Sequence, residues 1–275
     1  RCDLFPTHVG VILITYKILS ADLAFPHTRG GDPAVEPRKI EENNFPHTRG
    51  VILRGVKFMY LSRIELNITK RQTLAALSNP NFFHGAIESA FPGERVRKLW
   101  RIDKLKGKTY LLLVSPEKPP ATALIEQFGT GAPWETIDYD QVVSQINNGD
   151  VWRFRLTVNP TRRYPGSKAR CAIIGEDNLR KWFTERTLSH GFSVSPVIPN
   201  TCSIDSPCKG DSLKITEIKK ISFFKRRENM YVTVNTVTYE GILCVTDAEK
   251  FKQTLFNGIG REKAYGIGLL TIRRV

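Results

Sequence analysis

The side chain best suited to acid–base chemistry is a histidine that a helical pattern places away from the core. Within the segment NPNFFHGAIESAFPG, Phe83 and Ile87 mark one apolar face of a predicted helix. His84 falls on another face, with Asn81 three residues before it and Glu88 four residues after it. An imidazole outside the core can meet a ligand and exchange a proton near neutral pH. An ordinary surface histidine is the alternative interpretation.

The C-terminal segment GIGREKAYGIGLL joins a predicted helix to a predicted strand. Its glycines allow positive φ angles and close backbone approach, so amide N–H groups can face phosphates while a lysine adds positive charge. We therefore expect the loop to bind a polyanion through Gly258, Gly260, Lys263, Gly266 and Gly268. A structural loop that needs tight turns is the alternative.

Two clusters of cations lie in the C-terminal half, the first of them in a predicted hairpin. One surrounds a Pro165-Gly166 turn, and the other follows a predicted strand that ends at Lys225. Cations on a hairpin can enter a groove or follow the phosphates of a nucleic acid, but solvated loops have the same composition. The predicted contacts are Arg162, Arg163, Lys168 and Arg170 in the first cluster, and Lys225, Arg226 and Arg227 in the second.

The elements that must position these groups form two units. In the first, alternating residues from Met59 predict a strand, and Asn79 and Pro80 suit the N-cap and first position of a helix. The predicted elements are strand Met59–Ile68, helices Lys70–Leu77 and Pro80–Ala90, strands Leu99–Asp103 and Thr109–Ser115, and a weaker strand near Trp134–Asp140. The β-α-β-β order is typical of a ferredoxin-like split βαβ unit.

A second unit begins near Val151. Its predicted elements are a strand in VWRFRLTVNP, the basic hairpin Thr161–Arg170, helix Asp177–His190, strand Phe192–Pro196, a loop over Pro199–Asp211, strands Leu213–Lys225 and Met230–Val245, helix Ala248–Asn257 and strand Gly266–Arg274. His190 precedes Gly191 at a helix end, so we interpret it as a capping residue and not as a second catalytic base. The fold class is therefore α+β, with two tandem ferredoxin-like (RRM-like) domains.

The first 58 residues have the pattern expected when a DNA repeat that does not encode a protein is read as codons. Phe-Pro recurs at Phe5, Phe25 and Phe45, but the peptides PTHVGVIL, PHTRGGDP and PHTRGVIL differ too much to fill one place in a repeated fold. The nucleotide string CCCCACACACGTGGGGGTGATCC encodes the first two in two reading frames, and loss of one G gives the third. Its inverted repeat, CCCCAC and GTGGGG, can form an RNA hairpin.

Repeats of this length and spacing are typical of a CRISPR array. We infer that residues 1–58 are array DNA translated in frame before Met59, and we expect no fixed fold there. A genuine Pro/Gly-rich tail is the alternative.

Most of the net positive charge lies in residues 59–275. Of 41 Lys+Arg and 27 Asp+Glu in 275 residues, residues 1–58 hold eight and six, so 33 against 21 remain, a net charge of +12. This excess favours nucleic acid or an anionic membrane surface as a partner. The five cysteines form no CxxC pair, which favours reduced thiols over a disulfide framework or a zinc site. No apolar run approaches the roughly 20 residues of a membrane span, so we expect a soluble, cytoplasmic protein.

The combination of MYLSRIEL, a histidine in the first helical region, RFRLTVNPTRR and the terminal GIGREKAYGIGLL resembles the CasE family, from Met59 to Val275. CasE proteins are the CRISPR RNA-processing endoribonucleases of the type I-E Cascade complex. The resemblance implies two ferredoxin-like domains, cleavage beside the repeat hairpin without metal or cofactor, and retention of the product. The repeat pattern in residues 1–58 is a separate observation that leads to the same system.

The resemblance also implies roles for individual residues. His84 holds the position of the catalytic histidine, as general acid or base for attack by a ribose 2′-OH. The family pattern has a tyrosine where this chain has Asn81, which can hydrogen-bond a phosphate or ribose but cannot relay a proton. We therefore expect slower activity, or assistance from another group such as Tyr60 or Lys98, and we expect Glu88 to stabilise the imidazolium. The resemblance favours the basic hairpin as an RNA contact more than the second cluster.

The predicted domains are a catalytic domain over residues 59–148 and an RNA-binding domain over residues 149–275. The expected partners are the repeat RNA hairpin, as precursor and mature guide RNA, and other Cascade subunits, with no membrane. A catalytically silent subunit that binds the hairpin is the main alternative, and Asn81 favours it. A ferredoxin-like domain for a small molecule is a third possibility, which the charge of +12 disfavours.

Overall fold

The computed structural model describes residues 58–91, 96–120, 122–166, 169–194, 213–225 and 228–275. Residues 1–57, which the sequence analysis assigned to array DNA, lie outside these ranges. The predicted loop 199–211 and the predicted RNA contacts Lys168, Arg226 and Arg227 also lie outside them.

The described chain contains the following strands and helices, numbered in chain order. The strands are β1 (Tyr60–Glu65), β2 (Leu99–Leu105), β3 (Lys108–Ser115), β4 (Glu135–Asp138), β5 (Val151–Val158), β6 (Thr161–Arg163), β7 (Arg170–Ala172), β8 (Phe192–Ser193), β9 (Leu213–Lys225), β10 (Met230–Val245) and β11 (Leu270–Arg274). The helices are α1 (Arg71–Ser78), α2 (Asn81–Ala90), α3 (Ala123–Phe128), α4 (Tyr139–Ser144), α5 (Glu176–Thr187) and α6 (Ala248–Asn257).

Both sheets have the strand order of a ferredoxin-like unit. The first is antiparallel with the order β2-β3-β1-β4, and helices lie between β1 and β2 and between β3 and β4. The second has the order β11-β5-β10-β8, in which β5, β8, β10 and β11 repeat that arrangement. The prediction of two tandem ferredoxin-like folds is confirmed.

The second sheet carries two additions to this plan. After β5, the short strands β6 and β7 pair as a separate two-stranded hairpin. Before β10, the long strand β9 pairs with β10 over most of its length. The first addition was predicted as a hairpin from its Pro165-Gly166 turn, whereas β9 and β10 were predicted as strands without a stated pairing.

The first sheet is buried on both faces. On β3, Leu111 and Leu113 face a cluster that includes Phe83 and Ile87 of α2. The alternate residues of β3 join a second cluster, which includes Phe154 of β5. Successive side chains of a strand point to opposite faces, so the continuous apolar run of β3 predicts this double burial. The two halves of the described chain share one hydrophobic core.

A buried arginine connects the two sheets. Arg101 on β2 donates from Nε and Nη2 to the two carboxylate oxygens of Asp103, at 2.9 and 2.7 Å. Its Nη1 donates to the backbone oxygens of Arg155 and Leu269, at 3.1 and 2.8 Å. Nη2 also donates to Thr271 Oγ1 at 2.8 Å. All five guanidinium N–H groups are thereby satisfied, three of them by the second sheet and the segment that enters it.

The sequence analysis missed α3 and α4 and placed some ends differently. Each of these helices has six residues, too few for a periodic pattern. The final strand begins at Leu270 and not at Gly266, because Gly266 and Gly268 have φ angles of 77° and 90°. The predicted helix Asp177–His190 is α5 followed by a short 3-10 turn, which ends at the left-handed Gly191.

Candidate active site

Helix α2 directs His84 away from the core because its apolar residues face inward. Phe83 and Ile87 are buried against the first sheet, whereas His84 and Glu88 are partly exposed. The side-chain oxygen of Asn79 accepts a hydrogen bond from the backbone N–H of Asn81 at 3.1 Å. Pro80 holds the N-cap position, so this contact lies in the turn just before α2, which begins at Asn81, one residue after the predicted start.

His84 opens into a cavity of about 620 Å³. Its walls are α2, the segment that leads into β2 and the glycine-rich loop before β11. The lining residues are His84, Glu88, Val96, Arg97, Lys98, Gly260, Arg261, Glu262, Lys263 and Ala264. Both halves of the chain therefore form this cavity, and the predicted His84, Lys98, Gly260 and Lys263 come together in it.

Four cations and two carboxylates line the cavity, so its charge is positive. Sequence reasoning did not single out Arg97 or Arg261, which are exposed in its wall. Arg97 belongs to a short basic run, and Arg261 lies within the glycine-rich segment. The local composition could therefore have indicated both as contacts for a polyanion. A positive cavity beside an imidazole suits a phosphodiester, whose negative charge increases during attack on phosphorus.

Lys98 is held at the base of the cavity. Its Nζ lies 3.4 Å from Glu88 Oε2 and 3.3 Å from the backbone oxygen of Val96, and it sits 5.2 Å from the ring centre of Phe91. Only 3% of the Lys98 side chain is exposed. Glu88, which the sequence analysis assigned to the imidazolium, thus pairs with Lys98 in this structure.

Asn81 lies in a different cavity from His84. It lines a second hollow of about 420 Å³ between α2 and α3, together with Phe82 and Gln127. Asn81 and His84 lie one turn apart on the helix, so neighbouring nucleotides can reach both. The structure does not bring Asn81 into one cavity with Lys98.

Lys263 is half-buried in the loop that faces His84. Burial lowers the pKa of Lys263, and the nearby charge of Arg97 lowers it further. A Cβ at Gly268 would lie 3.0 Å from Lys263 Cγ, so the glycine leaves room for the lysine stem. The loop therefore holds the ammonium group close to the cavity.

Three of the predicted loop glycines have a packing role. Gly258, Gly266 and Gly268 are buried, and a Cβ at Gly266 would lie 2.5 Å from the Trp100 ring. The amide N–H groups of these glycines donate to Thr254 O, Lys263 O and Thr157 O respectively. Gly260 is exposed at the cavity. Contact of the four glycines with RNA stays a prediction.

The first basic hairpin places its cations at the surface. Arg162, Arg163 and Arg170 are exposed, and the guanidinium of Arg162 lies 5.2 Å from the ring centre of Tyr164. Arg170 donates to Thr161 Oγ1 at 3.1 Å and to its backbone oxygen at 3.3 Å, which ties β7 to β6. These arginines do not line the cavity of His84.

Of the second basic cluster, the structure describes Lys225. It ends β9 and pairs with Glu228, and this hydrogen bond raises the pKa of Lys225. The neighbouring carboxylate of Glu228 offsets the attraction of Lys225 for a phosphate. The second cluster is therefore a weaker candidate for RNA contact than the first.

His190 lies apart from the cavity. Its Nδ1 is 3.2 Å from Thr254 Oγ1, and its backbone oxygen accepts from the same hydroxyl at 3.1 Å. Burial lowers the pKa of His190, and the charges of Lys263 and Arg186 lower it further. Its place in the turn before Gly191 agrees with the interpretation as a capping residue.

The described residues contain neither a metal cluster nor a membrane-spanning helix. In the described part of the chain, no group of three or more His, Cys, Asp or Glu side chains is placed to hold a metal ion. No helix there is long and apolar enough to span a membrane.

A family model described as CRISPR associated protein matches residues 59–274. The chain belongs to this family. A curated relative, the CRISPR-associated endoribonuclease Cse3 of Thermus thermophilus, is 27% identical over 233 residues, which cover 78% of this chain and 99% of the relative. The resemblance to the CasE family is confirmed.

Solved structures of Cse3 share the fold. A structure of Cse3 bound to a 19-nucleotide RNA has a TM-score of 0.64 and 25% identity, and covers 78% of this chain and 99% of its own. Thermus thermophilus Cse3 bound to an RNA that represents a pre-cleavage complex has a TM-score of 0.63 and 26% identity, with the same coverage. A CRISPR RNA-guided surveillance complex chain, at a TM-score of 0.52 and 18% identity, agrees in fold.

Proposed function

We propose that this chain is an endoribonuclease that cleaves CRISPR precursor RNA at the base of the repeat hairpin, giving mature guide RNA. The observation that carries the proposal is the cavity in which His84 faces cations from both halves of the chain. The relation to Cse3, an endoribonuclease solved with RNA, supports the same activity.

The proposed chemistry is attack by the ribose 2′-OH on the adjacent phosphorus. The bond from O2′ to phosphorus forms and the bond from phosphorus to the 5′ oxygen breaks, which leaves a 2′,3′-cyclic phosphate or its 3′-phosphate product and a 5′-hydroxyl. His84 accepts the proton of the 2′-OH or donates one to the departing oxygen. No metal or cofactor is assigned a step.

The other residues are proposed to support this step. Lys98 and Lys263 stabilise the charge that grows on the phosphate oxygens, and Glu88 holds Lys98 in place at 3.4 Å. Asn81 hydrogen-bonds a neighbouring phosphate or ribose from the second cavity.

RNA binding is assigned mainly to the second half. In this proposal residues 59–148 form the catalytic domain and residues 149–275 the RNA-binding domain, with Arg162, Arg163 and Arg170 on the exposed hairpin as phosphate contacts. An A-form stem is recognised by its shape and backbone, which suits a cationic hairpin. The product stem stays bound, and the chain acts with other Cascade subunits in the cytoplasm.

The decisive experiment supplies repeat RNA in EDTA, with a copy that carries a single 2′-deoxy at the scissile nucleotide. We expect cleavage of the first RNA and none of the second. His84→Ala should lower the single-turnover rate by roughly 10²- to 10⁴-fold. His190→Asn is the matched control, because His190 lies outside the cavity, and it should cut at the wild-type rate. Cleavage that needs magnesium or survives the deoxy substitution would contradict the proposal.

The alternative is a catalytically silent subunit that binds the hairpin. Asn81 favours it, since an amide cannot relay a proton. Stoichiometric, stem-dependent binding without turnover by the wild-type chain would decide for this alternative.

A further inference from the structure

The long hairpin of β9 and β10 extends beyond the second sheet. β5 pairs with β10 from Val237 to Cys244, whereas β9 pairs with β10 as far as Met230. The segments Lys219–Lys225 and Met230–Thr236 therefore form a two-stranded arm beyond the β5 pairing, which we call the arm.

The inner face of the arm packs beside the cavity of His84. Phe223 meets the ring of Tyr265, in the glycine-rich loop, with centroids 4.8 Å apart. Val234 of the arm joins Phe223 and Ile267 in one apolar cluster. At the end of β9, Asn79 Nδ2 donates to the backbone oxygen of Phe224 at 3.3 Å. The arm thus touches the loop that carries Lys263 and the start of the helix that carries His84.

The outer face of the arm is exposed and presents rings, hydroxyls and a cation in succession. Phe224 and Tyr231 are cross-strand partners with ring centroids 5.1 Å apart, and they are 37% and 75% exposed. The next pair on this face is Ser222 and Thr233, whose hydroxyl oxygens are 3.0 Å apart. The following pair adds the exposed Lys220 beside Asn235.

This composition fits unpaired RNA better than an apolar protein surface. A base can stack on an exposed aromatic ring whatever its identity, and hydroxyl, amide and ammonium groups can bind the adjoining ribose and phosphates. An apolar partner would instead favour a continuous apolar strip, which the polar pairs after Phe224 and Tyr231 interrupt. The arm also packs against the loop that carries Lys263 and against the residue before α2, and in the proposed function the RNA strand leaves the hairpin near these elements.

We propose that the outer face of the arm binds the unpaired RNA strand that flanks the cleaved hairpin, with one base stacked on Tyr231 and Phe224. This inference rests on the proposed function for the identity of the RNA. It adds a subsite for single-stranded RNA, separate from the cationic hairpin of β6 and β7 and from the cavity of His84.

The test measures binding in the His84→Ala background, in which the RNA stays intact. Three RNAs are compared: the bare stem-loop, and the stem-loop with an unpaired 5′ or 3′ flank. We expect Tyr231→Ala to weaken binding of one flanked RNA by roughly 5- to 150-fold, the range for loss of one stacked base, and to leave the bare stem-loop unchanged. Because Tyr231 is largely exposed, we expect its replacement to leave folding intact, and thermal unfolding checks this.

Matched substitutions separate stacking from apolar contact. Tyr231→Phe keeps the ring and should preserve flank binding, whereas Tyr231→Leu keeps apolar area without a ring and should lose it. Equal affinities of wild type and Tyr231→Ala for all three RNAs would overturn the proposal. Full flank binding by Tyr231→Leu would also overturn it and point to an apolar docking surface.

The outcome is independent of the proposed cleavage. If the wild-type chain cuts no RNA, the endoribonuclease proposal fails, while the flank-dependent binding measurement still decides the role of the arm.

Discussion

The two sheets share one strand order but use their surfaces differently. The first sheet is covered on both faces, by its own helices on one side and by the common core on the other. The second sheet extends two hairpins, and their exposed side chains include Arg162 and Tyr231. When both faces of a sheet are buried, the exposed functional side chains must lie on the helices that cover it. Strands that project from a sheet can instead contact a long polyanion. Substitutions in the first region should therefore change stability, and those in the hairpins should change RNA binding.

The largest effect on stability is expected from Arg101→Met. The change leaves Asp103 buried without its bidentate partner, which should lower the free energy of unfolding by about 3–5 kcal/mol. Lys252→Met is the control, because its partner Glu249 has a side chain 82% exposed, and it should cost about 0–1 kcal/mol. Urea unfolding measures both. Equal costs would contradict the idea that Arg101 joins the two sheets.

Two glycines offer changes of opposite sign. Gly266→Ala should destabilise by roughly 1–3 kcal/mol, because φ is 77° and the new Cβ would meet the Trp100 ring at 2.5 Å. Gly85→Ala in α2 should stabilise by roughly 0.5–1 kcal/mol, since the new Cβ would have no atom within 4 Å apart from its chain neighbours and the helix backbone, and alanine favours a helix. Thermal unfolding gives the sign of each change. A loss of stability in Gly85→Ala would show that this face of α2 is more crowded than the structure indicates.

Substitutions in the exposed hairpin of β6 and β7 should change the salt dependence of RNA binding. Replacing Arg162 and Arg163 by Ala should reduce the slope of log affinity against log salt by about 0.7–0.9 for each phosphate that these arginines neutralise. Stability should change by less than about 0.5 kcal/mol, as is usual for surface positions. Titration of stem-loop RNA at several salt concentrations measures the slope. An unchanged slope would remove the hairpin from the RNA interface.

The smallest effect concerns pH and His190. Its folded-state pKa lies below 6.5, so the unfolded chain binds the proton more readily. Stability should therefore fall as the pH decreases from about 6.5 through the lower folded pKa. His190→Asn should lose less stability than wild type over that interval, in urea unfolding at neutral and mildly acidic pH. At higher pH both proteins should show the same pH dependence, and a difference there would point to another group.

Much of the site could be predicted from local sequence. Phe83 and Ile87 share a face at helical spacing, and burying them directs His84 outward. Strands β9 and β10 were predicted with their observed bounds, because alternating residues flank a short polar turn. Helices α3 and α4 escaped prediction because six residues make too few turns for a pattern.

Long-range contacts were beyond such reasoning. The tertiary structure pairs Glu88 with Lys98 and places Asn81 in a separate cavity. Nothing in the residue spacing predicts that Arg97 and Arg261, more than 160 residues apart, line one cavity.

The amino-acid sequence by itself determined most of the strands and helices and their order along the chain, the outward face of α2 and the positive charge, since these depend on periodicity and composition. The tertiary structure alone decided that the glycine-rich loop and His84 line one cavity and that Arg101 joins the sheets. The reason is physical: periodicity records which face of an element is apolar, whereas the partner of that face is chosen by packing among distant parts of the chain.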